Sequence, residues 1–318
     1  MTGAAQGSGP EYPVRFPIRP QNTKVVPLRH WGRWVSAVIV LYLVVALLYS
    51  SAGNPNIDWP TIRDYLFKPL VLRGLVVTIY LTFIAMAIGI LGGILLAVMR
   101  LSENRVLSAI AVAYIWFFRG IPVLVQILIW GFLGALYPTL FFGLPFTGIL
   151  FGSAETSAAI GATTAAILAL GLNEAAYCAE LVRAGIISVD AGQTEASLSL
   201  GMSPTLTMRR VVLPQAMRVI VPTMGNETIG MLKTSALVSV IAGRDLLTNL
   251  QLAYGQNFKI IPLLSVACIW YLFLTSILSI GQHYLEAYYG KGSGRKEAAA
   301  AEKRAARREL RRAGMGHV

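Results

Sequence analysis

The chain has 318 residues, of which 55% are hydrophobic and 13% charged, and a formal net charge of +12. With a mean hydropathy of +0.62, this composition excludes an ordinary soluble domain and points to a polytopic membrane protein. Nine of the 27 basic residues lie after Gly290 and most others flank apolar runs, a distribution that sets membrane orientation and does not form a nucleic-acid footprint.

Residues 1–34 are rich in proline and glycine, punctuated by Arg15, Arg19, Lys24, Arg29 and Arg33, and read as a disordered basic arm. Residues 35–53 form a charge-free run long enough to cross roughly 30 Å of hydrocarbon as a helix. The small residues Ser50, Ser51 and Ala52 also suit a cleaved signal, but the long basic arm ahead of the run favours a retained anchor. Residues 54–73, with Trp59 and Pro60, are expected to be an outer loop or interfacial helix. Residues 74–99 give a second span in which Ala85, Gly89, Gly93 and Ala97 recur every four residues, a stripe that lets another helix approach closely. Arg100 and Arg105 bracket a short inner loop.

Residues 106–142 are apolar for longer than one span requires and are interrupted by Arg119, Gly120, Ile121 and Pro122. An arginine there costs a few kcal/mol if it meets lipid, so it must face protein or water. Residues 144–157 carry no Lys or Arg and are expected outside. In the fourth span, 161–187, Glu180 and Arg183 are placed to pair on one face. Glu174 and Tyr177 sit deeper, where a carboxylate needs compensation.

The segment 190–216 is a long polar interruption between apolar runs. Asp190 with Gln193 opens a helix over 191–200, and Gly201 suits its left-handed end. Ser203 and Pro204 then open a basic helix with Arg209 and Arg210, which Pro214 is expected to end. Residues 219–242 form a fifth span carrying Asn226, Glu227, Lys233 and Ser235, too many polar groups for packing alone, so at least one should line a cavity. Residues 251–257 are expected outside, and 260–284 form a sixth span. The alanine- and arginine-rich segment 289–318 reads as a basic cytoplasmic tail helix facing solvent or anionic lipid.

Glu195, Ala196, Ser197, Gly201, Leu213 and Pro214, at their spacing, resemble the EAA loop of ABC-importer permeases, with serine where that family more often has alanine. The string YIWFFRGIPVLVQ and the segment GNETIGMLKTSALVSV resemble amino-acid permeases in particular, with Ala236 in place of the usual hydroxyl. The resemblance covers about residues 70–288 and implies an all-α polytopic permease core, here with one extra N-terminal helix and about six transmembrane helices in all. It further implies a coupling helix that docks on separate ABC ATPase subunits, a second permease subunit (self or paralogue) and an external amino-acid-binding protein. The candidate substrate path is Arg119, Glu174, Tyr177, Asn226, Glu227, Lys233 and Ser235.

The chain has no phosphate-binding G-x-x-x-x-G-K-[ST] loop, so ATP and magnesium are expected on the partner ATPase, with no cofactor or metal held here. Twenty of the 27 basic residues fall in the segments assigned to the inside, which places both termini in the cytoplasm of a bacterial inner-membrane protein. A secondary transporter or channel would use similar buried charges, but it would more typically show two matching halves, and no convincing internal repeat is visible.

Overall fold

The computed structural model describes residues 31–144 and 146–290. Most of the expected arm (1–30) and of the tail helix (291–318) lies outside the described residues. Helix α1 (Trp31–Ala52) is by itself a 22-residue apolar rod with no buried residue. It begins at Trp31, four residues earlier than the charge-free run suggests.

The rest of the chain runs through α2 (Trp59–Leu66), α3 (Pro69–Arg100), α4 (Arg105–Gly120), α5 (Val123–Gly131) and the short α6 (Leu133–Leu136). An antiparallel hairpin of β1 (Thr139–Gly143) and β2 (Leu150–Glu155) follows, then α7 (Thr156–Ala159) and α8 (Ala162–Ile187). After these come α9 (Ala191–Ser199), α10 (Pro204–Thr207), α11 (Leu213–Thr234), α12 (Leu246–Asn257) and α13 (Ile260–Tyr289). Among the described residues α1, α3, α8 and α13 are long and apolar enough to cross a membrane, and α4 with α5, bent by 95° at their break, make a fifth candidate. Helix α11 falls short on apolarity, not length, because it carries Arg218, Asn226, Glu227 and Lys233. The expected six spans are therefore four or five by length and composition.

The bundle is built around α3 and α8, and the stripe of small residues is where they meet. Ala85 and Ala97 are fully buried, and a side chain on Gly89 would run into Glu174, with Cβ positions 2.7 Å apart. Without side chains in the way the two backbones approach closely, which is how helices gain van der Waals energy where lipid removes the hydrophobic drive. Successive contacts, Ile88 to Gly171, Gly89 to Glu174 and Gly93 to Cys178, show that the two helices run parallel. Consequently α2, the hairpin and α12 gather at one end of the bundle, and α9 and α10 at the other.

Other expected boundaries change as well, and the fifth span, expected over 219–242, is α11 over Leu213–Thr234 followed by a 3-10 turn over Ser235–Ile241. The hairpin takes Phe141 and Phe142 out of the third apolar run and orders the supposed outer loop. Residues 251–257, expected outside, are the second half of α12. Its N-cap Asp245 accepts from Leu247 N and Thr248 N, and Leu250 and Ala253 pack with Val71 and Leu263. Pro214 does not end a helix, because a π turn over Met208–Val212 joins α10 to α11. There Leu213 N donates to Met208 O, five residues back, and this shift of register lets a proline pass with α11 continuing beyond it.

At the α2 end, Lys259 Nζ donates to Asp58 Oδ2 at 2.8 Å and to Thr61 Oγ1 at 2.7 Å, while Trp270 Nε1 donates to Leu66 O at 2.9 Å. The Lys259 ammonium, helped by Thr61, lowers the Asp58 carboxyl from 3.8 to about 2. A lowered carboxylate stabilises the folded form above its ordinary value and loses that contribution as pH falls through the folded one. Hydrogen exchange in α2 is therefore expected to rise between about pH 4 and 2, and Lys259→Met is expected to remove this acid dependence.

Candidate functional site

The RGIP interruption does what an arginine in an apolar run demands. Helix α4 stops at Gly120, Pro122 has no N–H to continue it, and the chain turns into α5, leaving Arg119 at a corner where it faces a cavity. That cavity, of about 370 Å³, is walled by Arg119, Gly120, Ile121, Pro122 and Val123. Helix α8 adds Leu170, Asn173, Glu174 and Tyr177, and α11 adds Glu227, Gly230, Met231 and Thr234.

The Arg119 guanidinium lies over the Tyr177 ring, 5.1 Å from its centre, an attraction between cation and ring face. Glu174 is buried against the crossing of α3 at Gly89, with Cys178 Sγ donating to its Oε1 at 3.4 Å. Arg119 and Glu227 have no ion-pair partner among the described residues. Two carboxylates, one guanidinium and one phenol thus share a cavity reached from three helices. Charges left this way at the depth of the spans call for water or a charged solute to complete them.

Four of the seven path candidates come together here: Arg119, Glu174, Tyr177 and Glu227. The cavity wall does not include the other three. Asn226 and Lys233 are exposed one helical step away from the wall, and Ser235 is buried with its Oγ donating to Leu232 O at 2.8 Å. Asn173, Gly230 and Thr234 line the cavity and are not among the seven path candidates. The signal for them was available, since 227, 230, 231 and 234 share one face of a helix. A larger cavity, about 810 Å³ between α3, α8 and α11, has walls such as Ile90, Ile94, Val182, Met217 and Ile220 and suits acyl chains or another helix better than a polar solute.

At the opposite end, Asp190 caps α9 by accepting from Gly192 N at 2.8 Å. Gly201 closes it with φ +81°: Gly201 N donates to Leu198 O at 2.9 Å and Met202 N to Ser197 O at 3.1 Å, the paired bonds of a Schellman end. Ser203 then caps α10 by accepting from Leu206 N. Ser197, the departure from alanine, is buried with its Oγ donating to Gln193 O at 2.6 Å, so the hydroxyl is satisfied within its own helix. Glu195 and Ala196 are exposed, as are Leu213 and Pro214. Leu200, which the sequence did not single out, is 84% exposed beside the glycine. Behind α9 and α10, Glu180 is held by Arg183 at 2.8 Å, as its spacing predicts, and also by Arg100 from the end of α3. This ties α3 and α8 to one another close to where α9 begins.

A helical bundle with charges of both signs around an intramembrane cavity, and a capped helical knob beyond its spans, defines a membrane transport subunit. The chain belongs to the family of binding-protein-dependent transport system inner membrane components, whose model matches residues 89–289. It is 44% identical over 283 residues to the arginine transport system permease protein ArgU of Corynebacterium glutamicum, covering 87% of this chain and 86% of that one. It is 34% identical over 242 residues to the probable amino-acid ABC transporter permease protein YckA of Bacillus subtilis, covering 74% and 97%. Among solved structures it resembles an amino acid ABC transporter crystallised with histidines, at TM-score 0.59 and 36% identity over 70% of this chain and 95% of that one. The MetNI methionine ABC transporter, at TM-score 0.52 and 22% identity, shares the fold. This is therefore a multi-pass inner-membrane transport subunit and not an enzyme, and in its family the ATPase and the binding protein are separate chains.

Proposed function

We propose that this chain is the permease subunit of an ATP-driven importer of amino acids, cationic ones foremost. The observation that carries the reading is the charge of the cavity: Arg119 suits the α-carboxylate, and one of Glu174 and Glu227 suits the α-ammonium. The remaining carboxylate suits a side-chain cation. A neutral amino acid would leave that carboxylate uncompensated, which is costly away from bulk water. The relative named for arginine transport supports the same substrate class.

ATP and its magnesium bind the partner ATPase. Two permease subunits, this chain with itself or with a paralogue, enclose the path, and an external binding protein delivers the substrate. Both termini and the α9–α10 knob lie in the cytoplasm, in keeping with the inner excess of basic residues. The knob, presenting Glu195, Ala196 and Leu200 with Leu213 and Pro214 behind, docks on the ATPase, and its movement is passed to α8 and α3 through Glu180, Arg183 and Arg100. Gly201 fixes the knob's turn, and Ser197 packs its inner face.

Competition uptake with the complete complex in proteoliposomes tests the reading. L-Arginine and L-lysine are expected to displace labelled L-arginine, L-glutamine to do so weakly, and uptake to require ATP. ATP-independent uptake, or equal displacement by L-leucine, refutes it. Glu227→Gln is expected to raise the KM for L-arginine about ten- to a hundredfold, the worth of one charge-assisted contact, while changing that for L-glutamine far less.

A further inference from the structure

The bend between α4 and α5 frees backbone carbonyls that a continuous helix would have satisfied, and Pro122 supplies no N–H in return. One turn into α5, Gln126 turns back on the bend: its Nε2 donates to Phe118 O at 2.8 Å and to Ile121 O at 2.9 Å. From α8, Asn173 Nδ2 donates to the same Phe118 O at 2.9 Å. The carbonyl immediately before Arg119 is therefore held by amides from two separate helices. Arg119 itself reaches over Tyr177, one turn beyond Asn173.

Gln126 is 4% exposed and does not line the cavity. As packing material it would be a poor choice, since a buried amide that is not hydrogen-bonded costs about 1–3 kcal/mol. Its Oε1 is in that position, buried with no partner among the described residues, while both N–H groups are used on the bend. A leucine would fill the space without that penalty but would leave Ile121 O without its donor and Phe118 O held by Asn173 alone.

We propose that Gln126 is a positioning residue: by bracing the bend it sets where the Arg119 guanidinium stands in the cavity, and thereby the affinity for substrate. The inference rests on the cavity being the substrate path, but it assigns a residue outside that cavity.

The test is uptake by the complete permease, ATPase and binding-protein complex in proteoliposomes, using whichever of L-arginine and L-glutamine the unaltered complex takes up faster. Gln126→Met keeps the length and removes both donors. It is expected to raise KM about tenfold with kcat changed less than about twofold and the thermal midpoint of the complex unmoved. In an Arg119→Met background, where KM is already raised, the same change is expected to add less than about twofold, because the two act as one unit. Full multiplication of the two effects, or a fall in kcat and midpoint at constant KM, overturns the proposal. If Arg119→Met raises KM and Gln126→Met is silent, the positioning role fails while the cavity reading stands; if Arg119→Met is itself silent, both fail. Should Gln126→Met not assemble, Gln126→His, which retains a single donor, is expected to raise KM about two- to tenfold over the unaltered complex, and a KM equal to that of the unaltered complex overturns the proposal.

Discussion

Gly93→Leu is expected to leave almost no assembled permease in the membrane. A Cβ at this position would stand 2.9 Å from Ala179 N and 2.9 Å from the Cys178 carbonyl carbon, so the obstacle is the backbone of α8 and no side chain can swing aside. Inserting even one methylene into a packed core costs about 1–3 kcal/mol, and here the two helices that organise the bundle would have to separate. The total stability of a domain is only about 5–15 kcal/mol, so a leucine removes a large part of it. Gly281 on α13 provides the control: nothing lies within 4 Å of its Cβ position, and Gly281→Ala is expected to be nearly neutral. Size-exclusion profiles of the two variants in detergent check the pair, and a Gly93→Leu protein eluting and melting like the parent would contradict the packing assigned to α3 and α8.

The second large effect is one of function. Gly201→Trp is expected to leave insertion and folding intact but to reduce ATP-driven uptake at least tenfold. Space is not the difficulty, since no atom lies within 4 Å of the Cβ position. With φ +81° any side chain carries a left-handed penalty of about 1–2 kcal/mol, which works against the Schellman bonds that end α9. The indole would also stand beside Leu200, on the face proposed to meet the ATPase. Gly201→Ala separates the two causes: it carries the backbone penalty without the bulk, and its uptake is expected to fall less than about threefold. Parallel measurement of ATP hydrolysis and uptake distinguishes uncoupling from loss of the complex.

How much of this was legible from residues alone follows the physics of each element. Local rules served well where a single residue decides: Gly201 as a left-handed cap, Arg119 with Pro122 as a corner, and the four-residue stripe of Ala85, Gly89, Gly93 and Ala97 as a contact face. They failed where the decision is cooperative. Pro214 reads as a stop, yet a π turn beginning six residues earlier absorbs it. The β-hairpin was hidden because strand residues such as Leu140, Phe141 and Phe142 are as apolar as a span, and register across the turn decides their state. Within α11 the polar residues were visible but their phase was not applied. Glu227 is on the cavity face, Asn226 and Lys233 are a step off it, and Ser235 is turned into the core as the helix tightens to a 3-10 form over Ser235–Ile241. Gln126 closes the YIWFFRGIPVLVQ string, but its bonds to Phe118 O and Ile121 O exist only once the bend does.

In the mechanism proposed above, the capped knob after α8 receives the stroke of an ATPase carried on another chain. The most direct measurement places a photo-crosslinking side chain at position 200 in the assembled complex, with position 146, at the tip of the β-hairpin, as the counterpart at the opposite end of the bundle. A covalent adduct is expected between position 200 and the ATPase subunit, and none between position 146 and that subunit. An ATPase adduct from position 146, with position 200 capturing only lipid or the external binding protein, would contradict it.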